Sequence, residues 1–175
     1  MWNEILAALG QEFSDIPDPA QFARLLLRLI LAVLLGAAIG WERERHDSSA
    51  GLRTHMLVAL GTALFVLVPQ QSGFGTDDMS RVIQGLLAGV GFLGAGAVLK
   101  MRQEGEVRGL TTAAGLWTTA AIGVAVGLGR ETTAIISTVF AIVILSVLLR
   151  IERRLKRRNE DRIIRPSPAS PPPGS

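Results

Sequence analysis

"VRGLTTAAGLWTTAAIG", Val107 to Gly123, carries no charge after Arg108 and nothing large except Trp117. A soluble helix of this length needs a polar face, and a lipid-exposed one is stocked with bulky aliphatic residues. This stretch is Gly, Ala and Thr, the composition of a helix with other helices pressed close around it. Four further runs are equally free of Asp and Glu: Phe22–Gly40, Thr54–Pro69, Arg81–Leu99 and Thr132–Leu149, the quoted run itself continuing from Leu110 to Leu128. Each approaches the about 20 helical residues that cross a hydrocarbon core of about 30 Å. The second is the shortest and gains a turn if the upstream "GLR" joins it. Inside lipid every backbone group needs a partner within its own segment, so such runs are helices. The chain is therefore expected to be an all-α integral membrane protein, a bundle of five transmembrane helices.

Composition agrees. Of 175 residues 49% are hydrophobic, 19% are charged, 19 are Gly and none is Cys. Soluble domains run nearer a quarter charged. The missing Cys excludes disulfides and thiolate metal sites. A pI near 10.5 raises nucleic acid as a partner. The basic residues hug the ends of apolar runs, though, which marks membrane orientation and not groove binding, so no nucleic acid is expected.

Counted loop by loop, Arg43, Arg45 and Arg53 follow the first run, and Lys100, Arg102 and Arg108 follow the third. The second and fourth loops hold only Arg81 and Arg130, while the tail from Arg150 to Arg165 carries eight basic residues. The positive-inside rule puts the N-terminus outside, loops one and three in the cytosol and the C-terminus in the cytosol.

Three regions follow. Residues 1–18 place Trp2, Ile5, Leu6, Leu9 and Phe13 on one helical face, expected to lie along the outer membrane surface. Residues 19–150 form the transmembrane domain, opened by Asp18-Pro19 as N-cap and first turn. Residues 151–175 are basic and then Pro-rich, a composition that cannot bury a core and is expected to be disordered on the cytosolic side.

Small residues predict which helices touch. Gly36 and Gly40 end the first span, Gly85, Gly89, Gly94 and Gly96 line the third, and Gly115 and Gly123 belong to the fourth. The fourth span is expected to press against the third, with a homodimer through the same kind of surface as the alternative to packing within one chain. The fifth is bulky and β-branched and is expected to face lipid. "GLRTH" at Gly51 and "RGLTT" at Arg108 both open a span after a basic loop, which suggests two helical hairpins related as a diverged repeat.

Both of those helix starts offer unpaired N–H groups and the positive end of a dipole, with Arg53 and Arg108 beside them. Carboxylates on the same membrane face come from Glu42 and Glu44, flanking Arg43. Glu42, Arg43, Glu44, Arg53, Thr54, His55, Arg108, Thr111 and Thr112 thus form a candidate cytosolic polar cluster. The favoured role is a latch in which Glu42 and Glu44 clamp the helix starts through Arg53 and Arg108, and the alternative is an ion or ligand site. His55 reads as a cap or interface residue, since the chain's other histidine is His46 alone. Arg28 lies roughly 9 Å inside the first span, which makes it either a functional charge or a snorkelling one. Asp77-Asp78 reads as a solvated turn, and "KMRQEGEVRG" as a short β-hairpin.

The strings "AIGWERER", "AGLRTHMLVALGTALF", "GVGFLGAGAVL" and "VRGLTTAAGLW", in that order over about Phe22 to Gly129, resemble the membrane domain of the MgtC/SapB family. The resemblance implies a multi-pass protein of the bacterial inner membrane linked to magnesium homeostasis, acid stress or virulence, with proposed transport and proposed restraint of the F-type ATP synthase. Many family members carry a soluble C-terminal domain, whereas only a disordered tail is expected here.

Two functions follow. The first is a non-enzymatic regulator that modulates membrane transport or energetics through helix contacts with partners in the bilayer. The alternative is a transporter or channel subunit for Mg²⁺ or another ion, acting as an oligomer. Mg²⁺ sheds water reluctantly and wants oxygen ligands, and no Asp or Glu lies in any span, which favours the first. No catalytic motif or cofactor signature is present, so neither an enzyme nor a cofactor is expected.

Overall fold

The computed structural model describes residues 1–12, 18–46, 48–100 and 109–164, with no strand among them. Six helices follow in order: α1 Trp2–Glu12, α2 Pro19–Glu44, α3 Leu52–Gln71, α4 Thr76–Lys100, α5 Leu110–Gly127 and α6 Glu131–Ile164. Among the described residues, α2 to α5 are each long and apolar enough to cross a membrane, and the apolar part of α6, Glu131–Val147, is a shorter fifth. The chain is an all-helical membrane bundle. Leu9, Phe13, residues 101–108 of the expected hairpin and residues 165–175 of the expected tail lie outside the residues or side chains described. Residues 151–164 of that tail, expected to be disordered, instead continue α6 as helix.

The helix ends have local chemical causes. Asp18 accepts the Ala20 N–H at 3.0 Å and Pro19 follows in the first turn, where its missing N–H costs nothing. At the end of α3, Gly73 takes φ +79°, a conformation that only a residue without Cβ adopts readily. It lets Phe74 N–H reach the Pro69 carbonyl at 3.1 Å and Gly73 N–H reach that of Gln70 at 3.3 Å. Gly129 repeats the arrangement after α5, with Arg130 N–H on Ala125 at 2.8 Å and Gly129 N–H on Val126 at 2.9 Å. Both are Schellman closures, and they satisfy carbonyls that would otherwise face the membrane boundary unpaired.

The core lies where α2, α3 and α5 meet, with Ala32, Ile39, Ala59, Ala63, Ile122 and Val126 essentially buried. Glycine sets the spacing. A Cβ at Gly36 would stand 2.6 Å from the His55 carbonyl oxygen, and one at Gly127 2.8 Å from that of Ala63. One at Gly123 would collide with the Thr62 hydroxyl and the Ala59 backbone. α3 is thus gripped from both sides, and α5 is the most enclosed span, as its small residues require.

α5 packs against α4 as expected. Its tightest seam, however, is with α3, because Gly123 and Gly127 meet Ala59, Ala63 and Val66. Along α4, only Gly94 of the expected packing glycines sits against a neighbour, 3.5 Å from Ala113 Cβ. Among the described residues, nothing beyond their own helix lies within 4 Å of where a Cβ would stand at Gly85, Gly89 or Gly96. On α6, Ile136, Val139, Phe140 and Ile144 point away from the bundle. On α1, Trp2, Ile5 and Leu6 are exposed.

Candidate functional site

Consecutive residues on a helix point about 100° apart. At the end of α2 this geometry sends Glu42, Arg43 and Glu44 to three different helices. Glu42 Oε1 accepts the Ser146 hydroxyl of α6 at 2.8 Å. Arg43, buried to 7% exposure, donates to Ser48 Oγ at 3.0 Å and to Thr112 Oγ1, in the first turn of α5, at 3.4 Å. Ser48 and Thr112 share a further hydrogen bond of 3.0 Å, which closes the triangle. Glu44 Oε2 accepts the N–H of Leu52, the first residue of α3, at 2.6 Å. One turn of α2 thereby ties down α3, α5 and α6.

His55 lies beneath this turn with no exposed surface. Its Nδ1 is 2.9 Å from the Gly51 carbonyl oxygen, which can only accept, so Nδ1 carries the proton in that bond. Its Nε2 faces Gly115, 3.5 Å from where a Cβ would be, and this atom and Arg43 Nε have no hydrogen-bond partner among the described residues. Above them His46 Nδ1 binds the Glu42 carbonyl oxygen at 2.7 Å.

The expected clamp is therefore built differently. Glu42 and Glu44 do not reach Arg53: they are engaged by Ser146 and by Leu52 N–H, while Arg53 and Thr54 point outward from α3 and Thr111 is exposed on α5. Arg108 lies outside the described residues. The deciding charge is Arg43, the basic residue between the two acids. Ser48 and Ser146 were not anticipated, because a lone serine in a loop or an apolar run has no sequence signature until its partner is known. Among the described residues no group of three or more His, Asp or Glu is disposed to hold a metal ion.

A second polar knot closes the opposite end. Arg28 donates to Gln70 Oε1 at 3.4 Å, to the Gly127 carbonyl at 3.3 Å and to Glu131 Oε1 at 3.3 Å. It joins α2 to the end of α3, the end of α5 and the start of α6. The hairpin repeat is also uneven at its matching glycines. Gly51 is extended (φ −103°), whereas Gly109 is left-handed (φ +94°) and so close to α4 that a Cβ would stand 2.9 Å from the Ala97 carbonyl oxygen.

Comparison with known proteins decides the identity of this arrangement. A family model described as the MgtC family matches residues 29–154, from within α2 to within α6, which takes in the Glu42–Glu44 knot and the partners of Arg28, though not Arg28 itself. The chain belongs to the MgtC family. Within it, the chain is 47% identical to protein SrpB of Synechococcus elongatus over 140 residues, covering 74% of this chain and 77% of that one. It is 40% identical over 145 residues to YhiD of Escherichia coli K12, whose name describes a candidate magnesium transporter, covering 78% of this chain and 66% of YhiD. It is 45% identical over 125 residues to protein MgtC of Salmonella typhimurium, covering 71% of this chain and 52% of that protein. The chain thus spans only about half the length of that MgtC protein. No solved structure gives a significant match.

Proposed function

We propose that this MgtC-family chain is a non-enzymatic modulator of the bacterial inner membrane. It adjusts transport or energetics in magnesium homeostasis or stress adaptation by docking against other membrane proteins, with the F-type ATP synthase as one candidate partner. The observation that carries this is the commitment of the polar side chains at the bundle's ends. Glu42, Arg43, Glu44, Ser48, Thr112 and Ser146 are spent on holding helices to one another, as are Arg28, Gln70 and Glu131. Between the two knots, Thr62, Thr119 and Thr138 turn their hydroxyls back to carbonyls of their own helices, and the α3–α5 seam is filled by backbone contact at Gly123 and Gly127. A bundle locked in this way offers its outer faces to partners more readily than it offers a pathway through its centre.

A second reading is an oligomeric transporter of Mg²⁺, supported by the name of the relative YhiD. Purified protein in liposomes loaded with a Mg²⁺-sensitive dye separates the two. The modulator reading expects no flux above empty liposomes, together with a membrane protein that co-purifies from native membranes and is lost on Arg43→Ala at unchanged abundance. Protein-dependent flux that disappears on Thr112→Val or Glu42→Gln would replace it with transport.

A further inference from the structure

α3 and α4 are neighbours in sequence yet do not close on each other. Between them lies a cavity of about 790 Å³ lined by apolar side chains that include Leu57, Phe65, Leu86 and Val90. Gly61, Gly85 and Gly89 also line it, and among the described residues none has an atom of another helix within 4 Å of where a Cβ would stand. Glycine inside a helix is less favourable than Ala, so three glycines that bring no described helix closer stabilise nothing within this chain. They keep a groove open.

The groove has a charge at each end. Arg53 lines it at the start of α3, and Arg81 near the start of the antiparallel α4. Neither guanidinium has a hydrogen bond or ion pair among the described residues. The stretch from Arg53 to Phe65 rises about 18 Å, slightly more than one leaflet of a hydrocarbon core about 30 Å thick. One chain-like apolar occupant entering from one leaflet therefore fills it.

The two ends are not equivalent. Arg81 shares its helix face with Asp77 and Asp78, four and three residues earlier, which offset its charge. Arg53 has no acid in the first turn of α3 and stands at the positive end of the helix dipole beside Thr54. At that end a second cavity of about 260 Å³ adjoins the first, sharing Thr54 and Leu93 and running past Ser49, Ala50 and Gly96. By the positive-inside rule this is the cytosolic end.

We propose that the α3–α4 groove is a binding site for an anionic phospholipid of the cytosolic leaflet, its acyl chain along the groove and its phosphate held by Arg53 and Thr54. A helix from a second copy is the rival occupant. The five apolar runs contain no carboxylate, so such a helix would leave Arg53 unanswered, whereas a phosphate matches a guanidinium in charge and geometry. The site is independent of which function the bundle serves.

The test uses the full chain in detergent, stripped of lipid by exchange and offered equal phosphatidylglycerol and phosphatidylcholine, with adducts counted by native mass spectrometry. Wild type retains phosphatidylglycerol about tenfold over phosphatidylcholine, and Arg53→Gln removes that preference. Gly89→Leu, placed where there is open space, reduces adducts of both lipids while helix content by circular dichroism stays unchanged. Equal retention of the two lipids, or adducts indifferent to Gly89→Leu, would overturn the proposal. So would full displacement of the lipid by inorganic phosphate, which would leave an anion site without a chain. Oxidative cross-linking of two copies through Gly89→Cys in native membranes, in this otherwise cysteine-free chain, would assign the groove to a second copy.

Discussion

The carboxylate of Glu44, the last residue of α2, accepts the backbone N–H of Leu52, the first residue of α3, at 2.6 Å. Gly51, which precedes α3, has no side chain to cap it, so the cap comes from the preceding helix across the intervening loop. Glu44→Ala is expected to lower unfolding stability in detergent by about 1 kcal/mol, the usual cost of a lost N-cap, and Glu44→Gln by less because an acceptor remains. A Cβ at Gly51 would run into the Glu44 carboxylate, so Gly51→Ala should cost as much as Glu44→Ala and add little to it.

Arg43 carries the interior of the same knot. Removing the Thr112 hydroxyl leaves a buried guanidinium short of an acceptor, so Thr112→Val should destabilise by about 1–3 kcal/mol. Ser48 bonds to both Arg43 and Thr112, so Ser48→Ala and Thr112→Val should be non-additive, with a coupling of about 0.5 kcal/mol or more in a double-mutant cycle. Additive losses would mean that the triangle does not act as a unit.

At the other end, Arg28 and Glu131 should couple more weakly. Their side chains are 23% and 37% exposed, so solvent screens the pair. The expected coupling energy between Arg28→Ala and Glu131→Gln is about 0.5–1 kcal/mol, diminishing in high salt. Arg28→Lys should not rescue Arg28→Ala fully, because an ammonium cannot span Gln70, Gly127 and Glu131 as the guanidinium fork does.

Glycines of the same chain should respond in opposite directions. Gly123→Ala drives a methyl into Thr62 and Ala59 and should destabilise by about 1–3 kcal/mol. Gly85→Ala meets open space and should stabilise by about 0.5–1 kcal/mol through helix propensity. Thermal unfolding of the two variants in one detergent reads both signs.

Topology can be measured directly, because the chain has no cysteine of its own. A cysteine at Ser49 should react with an impermeant maleimide only from the cytosolic side, and one at Ser72 only from the outside. Labelling of both from one side would reverse the assignment of the polar knots to opposite membrane faces.

Much of this architecture was legible before any coordinates. The positions of α2 to α5, the Asp18-Pro19 start and the lipid-facing side of α6 follow from local rules, since hydrocarbon thickness and backbone hydrogen bonding act on each segment by itself. The glycine pattern also marked α5 as an interior helix. It did not identify the tightest partner: small residues report that something comes close, not what, so Gly123 and Gly127 seat α3 while α5 also packs against the expected α4.

The polar cluster shows the same division. Sequence drew attention to "WERER" and "GLRTH" because charges at a membrane boundary are few and costly, and that is a local fact. Whether Glu44 would meet Arg53 or a backbone N–H, and whether Arg43 would face water or Thr112, depended on the rotation of α2 about its axis, a change of about 100° per residue. That rotation is fixed by Gly36 and Gly40 at the end of α2 seating against Leu52, His55 and Ala59 at the start of α3, a contact between two helices that neither segment shows by itself. Solvent class, span positions and orientation rules reside in the chain's composition and order. The pairing of its charges and the open groove between α3 and α4 were decided only by how the helices pack.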